Sequence, residues 1–183
     1  MSRSIHLDRV GALRAALAVA AAAALLAAFA PGRASALSAV VCSGSESVTI
    51  TPGLTLRAQT ATVAFTDTFG TPAACVSTDP TLRTGVASAS FVASVNCLDP
   101  VLANDGELVI RWNNGQTSTF DFRTTITTVG GVSVSTNTGT IVAGEFSGHV
   151  AEHVIPDIPP SPLGCLTPGG VTSLSGAFTF TVV

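Results

Sequence analysis

From residue 42 onward, apolar and polar side chains alternate with a period of two, the pattern of strands that bury one face. Val63, Phe65 and Phe69 share a face around Asp67, while Ala87, Ala89, Phe91, Ala93 and Val95 stand against Ser88, Ser90 and Ser94. Leu108, Ile110 and Trp112 alternate with Glu107, Val109 and Arg111. Phe120, Phe122 and Ile126 do the same with Thr119, Asp121, Arg123 and Thr125. A last strand puts Leu174, Phe178, Phe180 and Val182 on one side. No window after residue 42 has helical periodicity, and Thr, Ser, Val and Gly dominate where a helix would favour Leu, Glu, Lys and Gln.

The breaks between these runs carry turn residues. Asn113-Asn114-Gly115-Gln116 predicts a hairpin with a two-residue type I′ turn, which needs positive φ at Asn114 and Gly115. Gly130-Gly131, Asn137-Thr138-Gly139 and Thr167-Pro168-Gly169-Gly170 mark further turns. Eight or nine short strands at this spacing predict an all-β fold, an antiparallel β-sandwich of the Ig-like kind, with a β-barrel as the alternative. The segment from Pro156 to Thr167, with prolines at 156, 159, 160 and 162, is expected to run as an extended polyproline-like loop.

The N-terminal 36 residues follow a different rule. Arg3, Arg9 and Arg14 precede an uncharged run from Ala15 to Ala30, and Ala34-Ser35-Ala36 supplies a small-x-small cleavage site. This is the layout of a secretory signal peptide, and the apolar run is short and poor in large side chains for a membrane span. One domain, residues 37–183, is expected outside the cell, with no membrane insertion after cleavage. Val41 before Cys42 does not suit lipid attachment.

Cleavage changes the charge. The remaining chain has four arginines against ten acidic residues, a net charge of −6, and no lysine anywhere. Nucleic acid and anionic lipid are therefore not expected partners. Lysine Schiff bases, Ser-Lys dyads and Lys-Asn cross-links are excluded outright. Cys42, Cys75, Cys97 and Cys165 all lie past the cleavage site, and an even count in an exported chain predicts two disulfides. A hairpin turning near residues 52–60 brings Cys42 level with the segment just before Cys75, which favours Cys42–Cys75 and Cys97–Cys165 among three pairings. Each would contribute roughly 3 to 4.5 kcal/mol in the chain-entropy account.

Several short patterns carry chemistry only in a particular context. His149-Val150-Ala151-Glu152-His153 spells H-x-x-E-H, whose two histidines hold one zinc when the segment is helical. Gly148 and Pro156 leave little room for a helix. On a strand the histidines would stand about 13 Å apart with Glu152 facing away, so they are expected to be surface-strand residues. Asn104-Asp105-Gly106-Glu107, with Asp99 upstream, offers oxygen ligands for calcium but lacks the spaced acids of a dedicated loop, so a turn is expected. Trp112, the sole tryptophan, shares a face with Leu108 and Ile110 and is expected in the core. Arg111 and Asp121 are expected to pair across their hairpin. No G-x-S-x-G occurs, and no cofactor motif.

Cys42-Ser43-Gly44, Val48-Thr49-Ile50-Thr51-Pro52-Gly53-Leu54-Thr55, Arg111-Trp112-Asn113-Asn114-Gly115-Gln116-Thr117-Ser118-Thr119-Phe120, Gly139-Thr140-Ile141-Val142-Ala143-Gly144-Glu145-Phe146-Ser147-Gly148 and Cys165-Leu166-Thr167-Pro168-Gly169-Gly170-Val171-Thr172 together resemble a group of small secreted all-β proteins common in actinobacteria. The resemblance implies an exported β domain with two disulfides, and it carries over no catalytic assignment.

Three functions follow as expectations. The first is a non-enzymatic secreted domain without cofactor or metal, acting through its surface on an extracellular protein or envelope component. The second is a proteinase inhibitor presenting the loop with Pro159, Pro160, Pro162 and Leu163. The third is a sandwich-type hydrolase using Glu107, Asp121, Glu145 or Glu152 as acid or base.

Overall fold

The computed structural model describes residues 39–98, 105–130, 132–157 and 159–183. The signal segment expected over residues 1–36, together with Asp99, Asn104 and Gly131, lies outside them.

Nine strands form: β1 (Val40–Leu54), β2 (Gln59–Phe69), β3 (Val76–Ser77), β4 (Gly85–Val95), β5 (Gly106–Trp112), β6 (Thr117–Val129), β7 (Val132–Gly144), β8 (Val150–Pro156) and β9 (Val171–Val182). A single helical turn, α1 (Pro162–Cys165), lies between β8 and β9. Every pairing is antiparallel, and the strands follow one another as β2-β4-β5-β6-β7-β8-β9-β1, with β1 pairing back onto β2. Eight strands thus close into a barrel. The sandwich is corrected to its alternative, and the reason lies in β1. This 15-residue strand bonds along both edges, to β9 from Val40 to Thr49 and to β2 from Gly44 to Thr51, which leaves no free edge at which two sheets would separate. Where β2 stops, β3 continues alongside Val40 and Val41.

Period-two alternation sends one face of each of the eight barrel strands inward. Phe69, Ile110, Trp112, Phe120, Ile141, Phe178 and Phe180 belong to one apolar cluster; Ile50, Leu54, Ala61, Val63 and Val95 form a second, separate one. The first is dense in rings, with Phe69 edge-on to Trp112 at 5.6 Å, to Phe178 at 4.9 Å and to Phe180 at 5.3 Å. Trp112 is buried as its parity requires, and its indole Nε1 donates to Ser118 Oγ at 2.8 Å, which satisfies the one polar atom the ring carries inward.

Two disulfides brace the barrel wall. Cys42 is bonded to Cys75, holding β1 to the segment that runs into β3, and Cys97 just after β4 is bonded to Cys165 at the end of α1. Such bonds point to an oxidising compartment.

Four local expectations change. At residues 113–116 only Gly115 has positive φ, at 85°; its N–H donates to the Trp112 carbonyl and the Trp112 N–H donates to Gln116, so the hairpin uses a three-residue turn closed by a left-handed glycine. Asn137-Thr138-Gly139 is no turn but the middle of β7, where Gly139 lies opposite Phe122 and a Cβ would meet the Asp121 carbonyl oxygen. Arg111 faces Thr117 and Asp121 faces Glu107, so the expected Arg111–Asp121 pair does not lie across the hairpin. The proline segment is not extended throughout. Pro162 occupies the first turn of α1 behind Ser161, whose hydroxyl caps the Gly164 N–H, and Pro in that position costs a helix nothing.

Candidate site in the barrel lumen

Between the two apolar clusters lies a cavity of about 200 Å³, lined by members of both: Ile50, Leu54, Val63 and Val95 from one side, and Leu108 from the other. Phe65, Phe91 and Phe122 contribute aromatic walls. The opening is set by strand pairing. β8 and β9 are in register only as far as Val154 and Thr179; past that point Ile155, Pro156 and Asp157 on one strand and Leu174, Ser175 and Gly176 on the other line the cavity, and Pro156 and Ser175 are solvent-exposed. A second thin seam lies between β4 and β5, paired at Gly85–Trp112 and Val86–Arg111.

Four titratable side chains face this space. Glu46 on β1 and Asp67 on β2 are directly opposite in register, so their carboxyls share one patch of the inner wall. Glu46 is also opposite Gly176 on β9, and both line the cavity. Asp157 follows β8 at the opening, and His153 on β8 lies deeper. Asp67 is 0% exposed and His153 1% exposed, yet neither Asp67 oxygen and neither His153 nitrogen has a hydrogen-bond partner among the described residues. This is costly for buried polar groups, by about 1–3 kcal/mol each.

Burial decides their protonation. Asp67 is pushed up from 3.8 to about 8, chiefly by loss of water and then by the negative charge of Glu46. Glu46 is also raised, by burial first and Asp157 second, the Asp67 carboxyl partly countering. Asp157 is raised by burial, against the pull of Ser135, whose hydroxyl donates to both of its carboxylate oxygens at 3.2 Å. His153 is pushed down to about 4 by burial, in a nest of rings that includes Phe178 at 4.5 Å edge-on. At neutral pH the lumen therefore holds a neutral imidazole and a carboxyl pair that retains a proton. No cation offsets them: the described arginines Arg57, Arg83, Arg111 and Arg123 are all exposed, and none lines the cavity.

The residues singled out by motif are elsewhere. His149 is exposed and precedes β8, whereas His153 is buried, so the expectation of two surface-strand histidines holds for neither strand placement of the first nor exposure of the second. Burial follows from parity: Ala151, His153 and Ile155 are the inward residues of β8, and Glu152 faces out. Glu107, Asp121 and Glu152 are exposed and Glu145 sits in a turn, none of them on the cavity wall. Asp105 is exposed ahead of β5. Pro159, Pro162 and Leu163 lie on the outer surface, Leu163 78% exposed on α1, while Pro160 is buried. Among the described residues no helix is long and apolar enough to cross a membrane, and no cluster of three or more His, Cys, Asp or Glu side chains is placed to hold a metal ion.

Fold and site together define an antiparallel eight-stranded barrel with a side-opening, apolar lumen and an acidic patch on its inner wall. Comparison with protein-family models, with curated proteins and with solved structures finds no match to this chain.

Proposed function

We propose that this protein is an exported, non-enzymatic binding module that holds a small, largely apolar molecule inside its barrel. The observation that carries this reading is the half-open cavity between two otherwise well-packed clusters. Protein interiors pack with few voids larger than a water molecule, so a space of about 200 Å³ between packed clusters is consistent with selection for an occupant. Eight strands give a barrel bore able to accommodate one small ligand. Size narrows the class. An apolar cavity of about 150 Å³ accepts benzene, so this one suits a single substituted ring rather than a long lipid chain. Export rests on the basic and apolar pattern of residues 1–36 and is consistent with the two disulfides.

The test is titration of isotope-labelled protein with benzyl alcohol, followed by amide chemical shifts. Saturable shifts centred on Val63, Phe91, Phe122 and Leu174 are expected, and Leu174→Trp, which fills the opening, should abolish them. Shifts confined to the outer surface, or none at millimolar ligand, would remove the reading.

A further inference from the structure

Resting on that reading, we infer that the lumen selects a ligand with an ammonium group on a small aromatic or branched apolar body, the cation held by Glu46, Asp67 and Asp157 and the body by the phenylalanine-lined wall. Three carboxyl groups from β1, β2 and the end of β8 face one cavity, and none of the described arginines lines it. Acidic clusters by themselves often have no role. Here, however, Asp67 is fully buried and lines the cavity with both oxygens unpartnered, and His153 does so with both nitrogens. A primary ammonium has three N–H donors and no acceptor, the complement of carboxylate oxygens that lack donors.

The position of the acids fits an amphiphilic guest. Glu46 and Asp157 stand partly exposed at the β8–β9 opening and Asp67 is behind them. A ligand entering ring first would bring its cation to the acids as its ring reached Val63, Phe91 and Val95. Phe65 and Phe122 add aromatic faces, which attract cations through the ring quadrupole. Divalent metal is the poorer occupant, because the acids and histidine are not gathered into a metal-holding cluster among the described residues.

Proton bookkeeping provides a second signature. The titratable groups facing the cavity are Glu46, Asp67, Asp157 and His153; β4, β5, β6, β7 and β9 contribute only apolar or neutral polar side chains. An arriving ammonium favours the ionised carboxyls, so the proton held on buried Asp67 leaves to solvent as the cation binds. Affinity should therefore rise with pH between 6 and 8.

The deciding experiment is isothermal titration of the oxidised protein with 2-phenylethylamine, 2-phenylethanol and 3-phenylpropanoate at pH 7.5, repeated in two buffers of different ionisation enthalpy. The amine should bind at least tenfold more tightly than the alcohol, the carboxylate more weakly than both, and amine binding alone should release close to one proton. Glu46→Gln with Asp67→Asn should bring the amine within threefold of the alcohol; retained alcohol binding reports an intact lumen. Asp157→Asn, at the partly exposed opening, should weaken the amine several-fold and provides the same test should the double variant misfold. Alcohol binding with no amine preference would overturn the ammonium inference and leave the lumen reading standing. Failure of all three compounds to bind would overturn both.

Discussion

Asp67 should make the fold lose stability as pH rises through neutrality. Its carboxyl moves from 3.8 to about 8 on folding, so between those values the native state holds a proton that the unfolded chain has released. Stability is fully present below the unfolded value and declines with rising pH, at ~1.4 kcal/mol per decade, a ceiling on the order of 5 kcal/mol that sharing with Glu46 reduces. His153 acts in the opposite sense. Lowered to about 4 on folding, it leaves the unfolded state binding the extra proton between 4 and 6.5, so stability rises with pH across that window. From pH 4 to 6.5 the gain from His153 opposes the loss from Asp67, to which the raised Glu46 and Asp157 add; above 6.5 the His153 gain ends and the loss from Asp67 continues, at ~2 kcal/mol by pH 8. Urea unfolding followed by the emission of buried Trp112 at pH 5, 6.5, 8 and 9 measures this directly. The Asp67→Asn variant, neutral at every pH, should match the parent only below about pH 4, exceed it by a margin that grows from pH 5 to 8, and lack the decline above 6.5. A parent stability that is level or rising from pH 6.5 to 9, or an Asn variant with an unchanged decline, would refute the reasoning.

Other consequences are simpler to measure. Replacing Cys97 and Cys165 together with Ser removes a cross-link spanning 68 residues and should cost roughly 4 kcal/mol in urea unfolding, while the parent should show no reactive thiol when denatured without reductant. Phe69→Ala empties the centre of the ring cluster against Trp112, Phe178 and Phe180 and should cost about 3–5 kcal/mol by the same assay. Gly44→Ala drives a methyl into the Phe178 ring and should cost about 1–3 kcal/mol, whereas Leu163→Asp on exposed α1 should shift stability by no more than about 0.5 kcal/mol.

What the sequence revealed and what it concealed divide along physical lines. Strand faces are local, and parity alone places Phe91, Ile110, Trp112, Phe120 and Phe180 inward. Closure is not local. A sandwich and a barrel both use period-two strands, and the choice depends on β1 finding β2 on one edge and β9 on the other. The acids of the lumen were within reach of the same parity argument: Asp67 falls in step with Val63, Phe65 and Phe69, and Glu46 with Cys42, Val48 and Ile50. An acid on an apolar face is the more informative signal, and the H-x-x-E-H spelling drew attention instead to residues that point both ways. His153 shows the same lesson, since Ala151 and Ile155 share its side of β8. The helical turn at Pro162 depended on Ser161 as a cap, a cue that four nearby prolines obscure.

The pairing of β1 with β9 also governs how the molecule reaches its final form. Val40 lies beside Val182 and Val48 beside Leu174, so the first strand waits for the last before one of its edges is covered. Hairpins such as β6–β7 can assemble early from neighbouring residues, but the ring is completed by its most distant partners, which predicts slow folding for its size. Until that moment the chain is an open, curling sheet with two adhesive margins, and each margin can recruit another molecule as readily as its own counterpart. Mutations that delay the arrival of β9 should therefore show themselves first as aggregation during synthesis or refolding, even where the finished barrel is no less stable.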